Sequence, residues 1–229
     1  MTSPETMPRP SLRERKKQHT RQALIDSALE LFDARGFGGV TLDELCDTVD
    51  VSKRTFFRTF TSKEDVASAP VQDIWLTFLT ELETPYGTDA AVEPPALLEF
   101  MRDALLAALA QVTADDSAER RILLSRQLAE RTPSMDAHGL EFCARTTERA
   151  LEILHRRFDL PERGDPRPRL AVDMLVAAFH LALAGWAAKP TRTGLGALFR
   201  ESVAALPGTL ALTAVPRSAV GEPVARRER

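Results

Sequence analysis

Tyrosine occurs once in the 229 residues, tryptophan and cysteine twice each, and histidine four times. Two cysteines, Cys46 and Cys143, cannot build a zinc site by themselves. Each falls on an apolar helical face, where a buried free thiol in a reducing compartment is the ordinary outcome. His19, His138, His155 and His180 show no metal-ligand spacing, so neither a metal nor a cofactor is expected. There is no Gly-x-Ser-x-Gly elbow and no phosphate-binding glycine loop. Gly194-Leu-Gly196 lacks both a third glycine and a preceding strand. Without a nucleophile or acid–base constellation, the chain is expected not to be an enzyme. Its first residues are polar and dotted with proline, unlike a signal peptide. The one long apolar run, residues 170–188, is interrupted by Asp173 and His180, which argues for a buried helix and against a membrane span. The expected location is the cytoplasm. No stretch of useful length alternates with the period of a strand, and no internal repeat appears.

The hydrophobic fraction of 44% is enough for a sizeable core, and 229 residues allow one domain or two small ones. The net charge of −3 hides an asymmetry. Residues 1–63 carry 11 Lys and Arg against 9 Asp and Glu, a balance of +2, and the remainder stands at −5. Total charge therefore does not point to nucleic acid; local placement has to do so.

That placement is found in residues 41–63. Thr41 with Glu44 makes a capping box, with Val40 and Leu45 as its hydrophobic staple. Ser52 opens a second short helix, with Val51 and Phe56 as the staple pair. Ser62 opens a third, with Glu64 and Asp65 in its first turn, where the helix dipole favours acids. The Ser52 helix instead carries Lys53 and Arg54 in its first turn. Cations there oppose the dipole, so stability does not explain them, whereas a polyanion lying against that helix end does. The alternative is a solvated charged helix end.

With these residues in place, the stretch resembles the helix-turn-helix of the tetracycline-repressor-like (TetR) family of bacterial transcription regulators. The match lies at Thr41, Val51, Ser52, Thr55, Phe60, Ser62, Lys63 and Glu64. The chain departs from the pattern at Cys46 for Ala, Asp50 for Gly, Phe57 for Tyr, and Thr59 for Tyr or His. The usual side chains at 57 and 59 contact phosphate, and Phe57 cannot hydrogen-bond one. Asp50 is milder, because Asp tolerates a left-handed turn. Arg-Thr-Phe-Phe-Arg at 54–58 and Ser-Lys-Glu-Asp-Val at 62–66 also resemble the actinobacterial mycofactocin-regulator-like branch.

The resemblance implies an all-α fold: a three-helix head at 18–61 and a body of about six helices at 62–206, holding an effector pocket and a dimer surface. Residues 1–17 are expected to be a disordered basic arm and 207–229 a disordered tail. The expected DNA contacts are Thr41, Lys53, Arg54, Thr55, Phe57, Arg58, Thr59 and Lys63, with Arg15, Lys16 and Lys17 of the arm. Arg54 and Thr55 are the candidates for base contact, and Lys53, Arg58 and Lys63 for phosphate. One head covers few base pairs, so a homodimer on an inverted-repeat operator of double-stranded DNA is expected, with heads about 34–36 Å apart or a multiple of that. Leu175, Ala178, Ala182, Leu198 and Phe199 are the expected interface. Trp75, Phe78, Met101, Leu105, Leu124, Phe142, Phe179 and Trp186 come from several helices and close either on a solid core or around a pocket. The resemblance favours a pocket for a small, largely apolar effector, with His180 as its polar anchor.

Residues 63–83 read as one long helix with a kink or break at Pro70, a candidate hinge. A linker with Pro85, Gly87, Pro94 and Pro95 follows. Later helices run to about Val112, from Ser117 to before Pro133, from about Met135 to Phe158, and over 170–188 and 195–206. Pro161, Gly164, Pro166 and Pro168 mark a loop. The second reading is an all-helical ligand-binding or scaffold protein whose head no longer binds DNA. Phe57 and Thr59 favour it; Lys53, Arg54, Arg58 and Lys63 oppose it.

Overall fold

The computed structural model describes residues 11–85, 95–114, 116–190 and 194–214. The first helix, α1, spans Leu12–Arg35. It starts earlier than expected because Ser11 and Glu14 form a capping box. The Glu14 backbone N–H donates to Ser11 Oγ, and the Ser11 N–H donates to the Glu14 carboxylate at 2.8 Å. The basic cluster at 13–17 therefore lies on a helix, not on a disordered arm. Gly36 ends α1 at φ 77°, a conformation that favours glycine.

A 3-10 turn, Phe37–Gly39, leads to α2 (Leu42–Thr48) and α3 (Lys53–Phe57). Thr41 and Glu44 form the anticipated capping box. Ser52 accepts from the Thr55 N–H. Asp50 takes the left-handed conformation in the turn between them, at φ 53°. Leu45, Cys46 and Phe56 are buried against Leu24, Ile25, Ala28, Leu29 and Phe32 of α1.

The fourth helix, α4 (Lys63–Glu83), runs unbroken through Pro70, so the expected break does not occur. Pro70 is buried where the helix packs among its neighbours, and that packing offsets the missing backbone donor. Residues 86–94, which include Gly87 and Pro94 of the expected linker, lie outside the described residues. The body continues with α5 (Leu97–Val112), α6 (Asp116–Glu130), α7 (Pro133–Arg157), α8 (Pro166–Ala188) and α9 (Gly194–Leu210). Ser117 is already inside α6 and does not cap it. Pro166 and Pro168 begin α8 instead of marking a loop, with Asp165 as the cap. Proline is well placed at a helix's first position, where its missing N–H would have no partner anyway. Helix α9 passes through Pro207, so residues 207–210 are helical rather than tail; residues 215–229 lie outside the described residues.

Two apolar cores result. The body core gathers Ile74, Phe78, Met101, Leu105, Leu154, Leu175, Phe179 and Phe199, among others. The head core is closed from above by Val66, Ala67 and Ala69 of α4, Leu128 of α6 and Met135 of α7. Helix α8 is long and apolar enough to cross a membrane by length and composition alone. Its packing against α5, α6, α7 and α9 accounts for that composition.

Candidate DNA-binding face and effector cavity

The short α3 is held by one deep anchor. Phe56 is fully buried, and burying a phenylalanine side chain contributes roughly 1.5–3 kcal/mol. The residues on either side of it are thereby pushed outward. Lys53, Arg54 and Arg58 are exposed. Lys53 pairs with Asp43 at 2.7 Å, which joins the first turn of α3 to the first turn of α2 and brings Thr41 into the same neighbourhood. Arg54 and Arg58 make no ion pair among the described residues. Phe57 is 55% exposed and stands edge-on to Phe56. A large aromatic left in water on a short surface helix adds no stability there.

Other expected contacts have work inside the chain. The Thr41 hydroxyl serves the capping box. Thr55 shares its hydroxyl with Ser52, and Thr59 donates to the Thr55 carbonyl. Lys63 donates to the carbonyls of Phe37 and Val40 at 3.0 and 2.7 Å and lies over the Phe37 ring at 4.7 Å. Two of its three N–H donors thus tie the start of α4 to the turn before α2, which makes it a structural cation first. On α1, Arg15, Lys16 and Lys17 are exposed. Arg21, one turn further on, is held by a two-pronged pair with Asp73 and by the Phe60 ring at 5.5 Å. The basic face of α1 is therefore fixed relative to the end of the helix-turn-helix.

In the body, a cavity of about 350 Å³ opens between α4, α6, α7 and α8. Of the expected ligand residues, Trp75, Phe78, Phe142 and His180 line it. Met101, Leu105, Phe179 and Trp186 do not; they are buried in the solid body core. Leu124 packs on the head core instead. The sequence reading missed the polar part of the lining: Ser68, Gln72, Ser125, Arg126, Asp136, Thr146 and Thr147. The signal for it was a pair of threonines and a serine on otherwise apolar helix faces. His180 stands at the open side, still reached by solvent, yet the surrounding walls and the Arg126 charge hold it below the usual histidine range. Gln72 Nε2 and His138 Nε2 are 3.0 Å apart. Cys143 is in the wall too, and burial pushes its thiol up. Arg126 pairs with Glu130 through Nη2 at 3.1 Å, whereas its Nε is buried with no hydrogen-bond partner among the described residues.

Cavity and head share elements. Helix α4 gives Val66 and Ala67 to the head core, and Val71, Trp75 and Phe78 to the cavity. Helix α6 gives Leu128 to the head core, and Ser125, Arg126 and Ala129 to the cavity. The buried Ser125 hydroxyl donates to the Ala67 carbonyl at 2.6 Å, fastening the two helices. Arg121–Asp26 fastens α6 to α1, and Arg131–Asp33 fastens the turn just after α6 to it, both at 2.6 Å.

The expected dimer residues need correction. Leu175, Ala178, Ala182 and Phe199 are buried in the chain's own core, and Leu198 packs against it. A helix apolar all round hides one face at home, and these residues are on that face. The outward face of α8 is a different stripe. Leu170 and Leu181 are 53% and 68% exposed, with Ala177 and Ala188 exposed and Met174 and Ala184 half-buried between them.

Comparison with known proteins agrees with the fold. Residues 24–69 match the family model "Bacterial regulatory proteins, tetR family". The chain is 36% identical over 183 residues to the HTH-type transcriptional regulator TcmR of Streptomyces glaucescens, covering 77% of each chain. It is 30% identical over 152 residues to the putative mycofactocin biosynthesis transcriptional regulator MftR of Mycobacterium tuberculosis, covering 66% of this chain and 72% of that one. Among solved structures, Thermus thermophilus FadR, a TetR-family repressor crystallised with lauroyl-CoA, shares the fold. Its TM-score is 0.51 at 22% identity, over 87% of this chain and 99% of that one.

Proposed function

Because the chain belongs to the TetR family of bacterial transcription regulators, a class of ligand-responsive DNA-binding proteins, we propose that it is a cytoplasmic repressor that binds an inverted-repeat operator as a homodimer. Arg54, with Thr55, reads base edges from the start of α3. Lys53, Arg58, Arg15, Lys16 and Lys17 supply phosphate contacts, which add affinity without sequence preference. Lys63 adds its remaining donor. The outward stripe of α8, centred on Ala177 and Leu181, meets its copy in the partner and sets the distance between heads. A small, largely apolar effector enters the cavity against Trp75, Phe78 and Phe142. No catalytic role is assigned to any residue.

The observation that carries the reading is the sharing of α4 and α6 between the head core and the cavity wall. An effector that fits one arrangement of these helices better than another shifts the heads by that difference in affinity. A gel shift with the DNA upstream of the protein's own gene tests it. The expected result is a complex that survives excess unrelated DNA and is lost in an Arg54→Ala, Arg58→Ala double variant. The second reading, a helical ligand-binding protein whose head no longer binds DNA, rests on Phe57. It is upheld if no complex forms with any DNA at low salt.

A further inference from the structure

We infer that the effector is an uncharged molecule with an apolar middle and an alcohol, phenol or ketone oxygen at each end, held by the buried hydroxyls of Ser68 and Thr146. This rests on the cavity being the effector site, as proposed above, and adds the chemical class of the occupant.

Ser68 and Thr146 both line the cavity, and each residue is only 8% exposed. Neither hydroxyl has a hydrogen-bond partner among the described residues, and neither is sealed off from the cavity. The other uncharged polar side chains of the lining are engaged. Ser125 donates to the Ala67 carbonyl, Gln72 meets His138, and the Thr147 hydroxyl serves the Cys143 thiol. A helical threonine can turn its hydroxyl back to the carbonyl four residues earlier, as Thr80 does to Leu76; Thr146 does not. A hydroxyl both donates and accepts, and a buried one without a partner is destabilising. Water can serve both in the open cavity. An occupant that displaces it without replacing its hydrogen bonds loses affinity.

The two hydroxyls stand at opposite ends of the cavity. Helices α4 and α7 run in the same direction: Glu64 meets Ser134 near their starts, and Glu83 pairs with Arg156 near their ends. Gln72 touches His138 in between. Ser68 is one turn before that contact on α4, and Thr146 is two turns beyond it on α7. Trp75, Phe78 and Phe142 fall between these levels and wall the middle with apolar rings. Among the described residues, no charge in the lining is left to meet a buried ion. Arg126 is paired with Glu130, and Asp136 is exposed to water. Burial holds His180 below the usual histidine range, so its ring is neutral at physiological pH. Moving a charge from water to hydroxyls alone is costly, whereas a neutral oxygen exchanges one hydrogen bond for another.

The test uses one body with different ends on the full-length protein, by equilibrium dialysis: biphenyl, para,para′-biphenol and biphenyl-para,para′-dicarboxylate. The dicarboxylate is expected to bind about tenfold or more weakly than the biphenol. Ser68→Ala and Thr146→Val should each lower biphenol affinity roughly three- to tenfold and leave that of biphenyl unchanged, which also shows that the variants are folded. Thr146→Ser keeps the hydroxyl and should keep the biphenol affinity. Val176→Trp fills the cavity and should abolish binding of all three. A dicarboxylate as tight as the biphenol overturns the uncharged effector. Biphenol affinity unchanged in either Ser68→Ala or Thr146→Val overturns the molecule oxygenated at both ends. Both results leave the cavity as effector site. Failure of all three compounds to bind, or binding that survives Val176→Trp, overturns the cavity reading and this inference with it.

Discussion

Phe57 and Lys63 show how two residues of one motif divide between surface and support. Phe57 is exposed and carries no polar atom. Phe57→Tyr adds a hydroxyl that can donate to phosphate at the head's surface. Operator affinity should rise roughly three- to tenfold, the worth of about one hydrogen bond, with an unchanged melting temperature. Fluorescence anisotropy on the operator measures it; no gain would place the ring away from the DNA backbone. Lys63 behaves in the opposite sense. Its two bonds to the Phe37 and Val40 carbonyls hold the turn before α2. Lys63→Met should lower the unfolding free energy by about 1–3 kcal/mol in a urea titration. A salt slope of DNA binding that falls by about one with no loss of stability would make it a phosphate contact alone. The identity of these residues was legible in the sequence; their roles were not. A lysine next to a helix-turn-helix looks the same whether its ammonium faces phosphate or a carbonyl 26 positions earlier in the chain.

At the scale of helices, caps decided what could be read. Thr41 with Glu44 and the Ser52 and Ser62 starts were visible because side chain, spacing and dipole agree. The same Ser-x-x-Glu signature at 11–14 stands just after a proline-dotted stretch, and it makes the first two turns of α1 where an arm was expected. Glu44 also gives a pH prediction. The hydrogen bond from the Thr41 backbone N–H, and then Arg35, hold its carboxyl at about 2 instead of 4.5. A depressed folded value means that its contribution is complete above about pH 4.5 and is lost as pH falls towards 2. Melting curves of wild type and Glu44→Gln should therefore differ at neutral pH and converge through that window. A gap that stays constant would show the capping box to be independent of charge. Helix α8 was expected to bury one side at home and offer the other to a partner, and its buried side is there. Its composition could not say which side was which, because alanine and leucine occupy both. Leu181→Glu should give folded monomers in sedimentation at micromolar concentration. Ala182→Arg should unfold the body instead, since Ala182 is 3% exposed within one chain. Folded, dimeric Leu181→Glu would move the interface elsewhere.

In the whole molecule, the solid core and the cavity compete for the same apolar residues. The sequence places Trp75, Phe78, Met101 and Phe179 on inward faces and says nothing of the gap between helices. That gap depends on how α7 and α8 diverge from α4, a packing property with no residue signature. The polar lining at Ser125, Arg126, Thr146 and Thr147 marks where the core was not meant to close. Two helices carry the cavity wall and the head core together, and ion pairs from α6 and the turn after it to α1 bind the head to that frame. Coupling between two binding sites is reciprocal, so an effector that weakens operator binding through this frame is itself weakened by operator to the same degree. The direct measurement is a pair of titrations with a compound found by thermal shift to bind the cavity. Operator affinity is measured with and without saturating compound, and compound affinity with and without saturating operator. The account predicts that both fall, and by the same factor. A compound that raises the melting temperature and is displaced by a cavity-filling Val176→Trp substitution, yet leaves operator affinity unchanged, would contradict it.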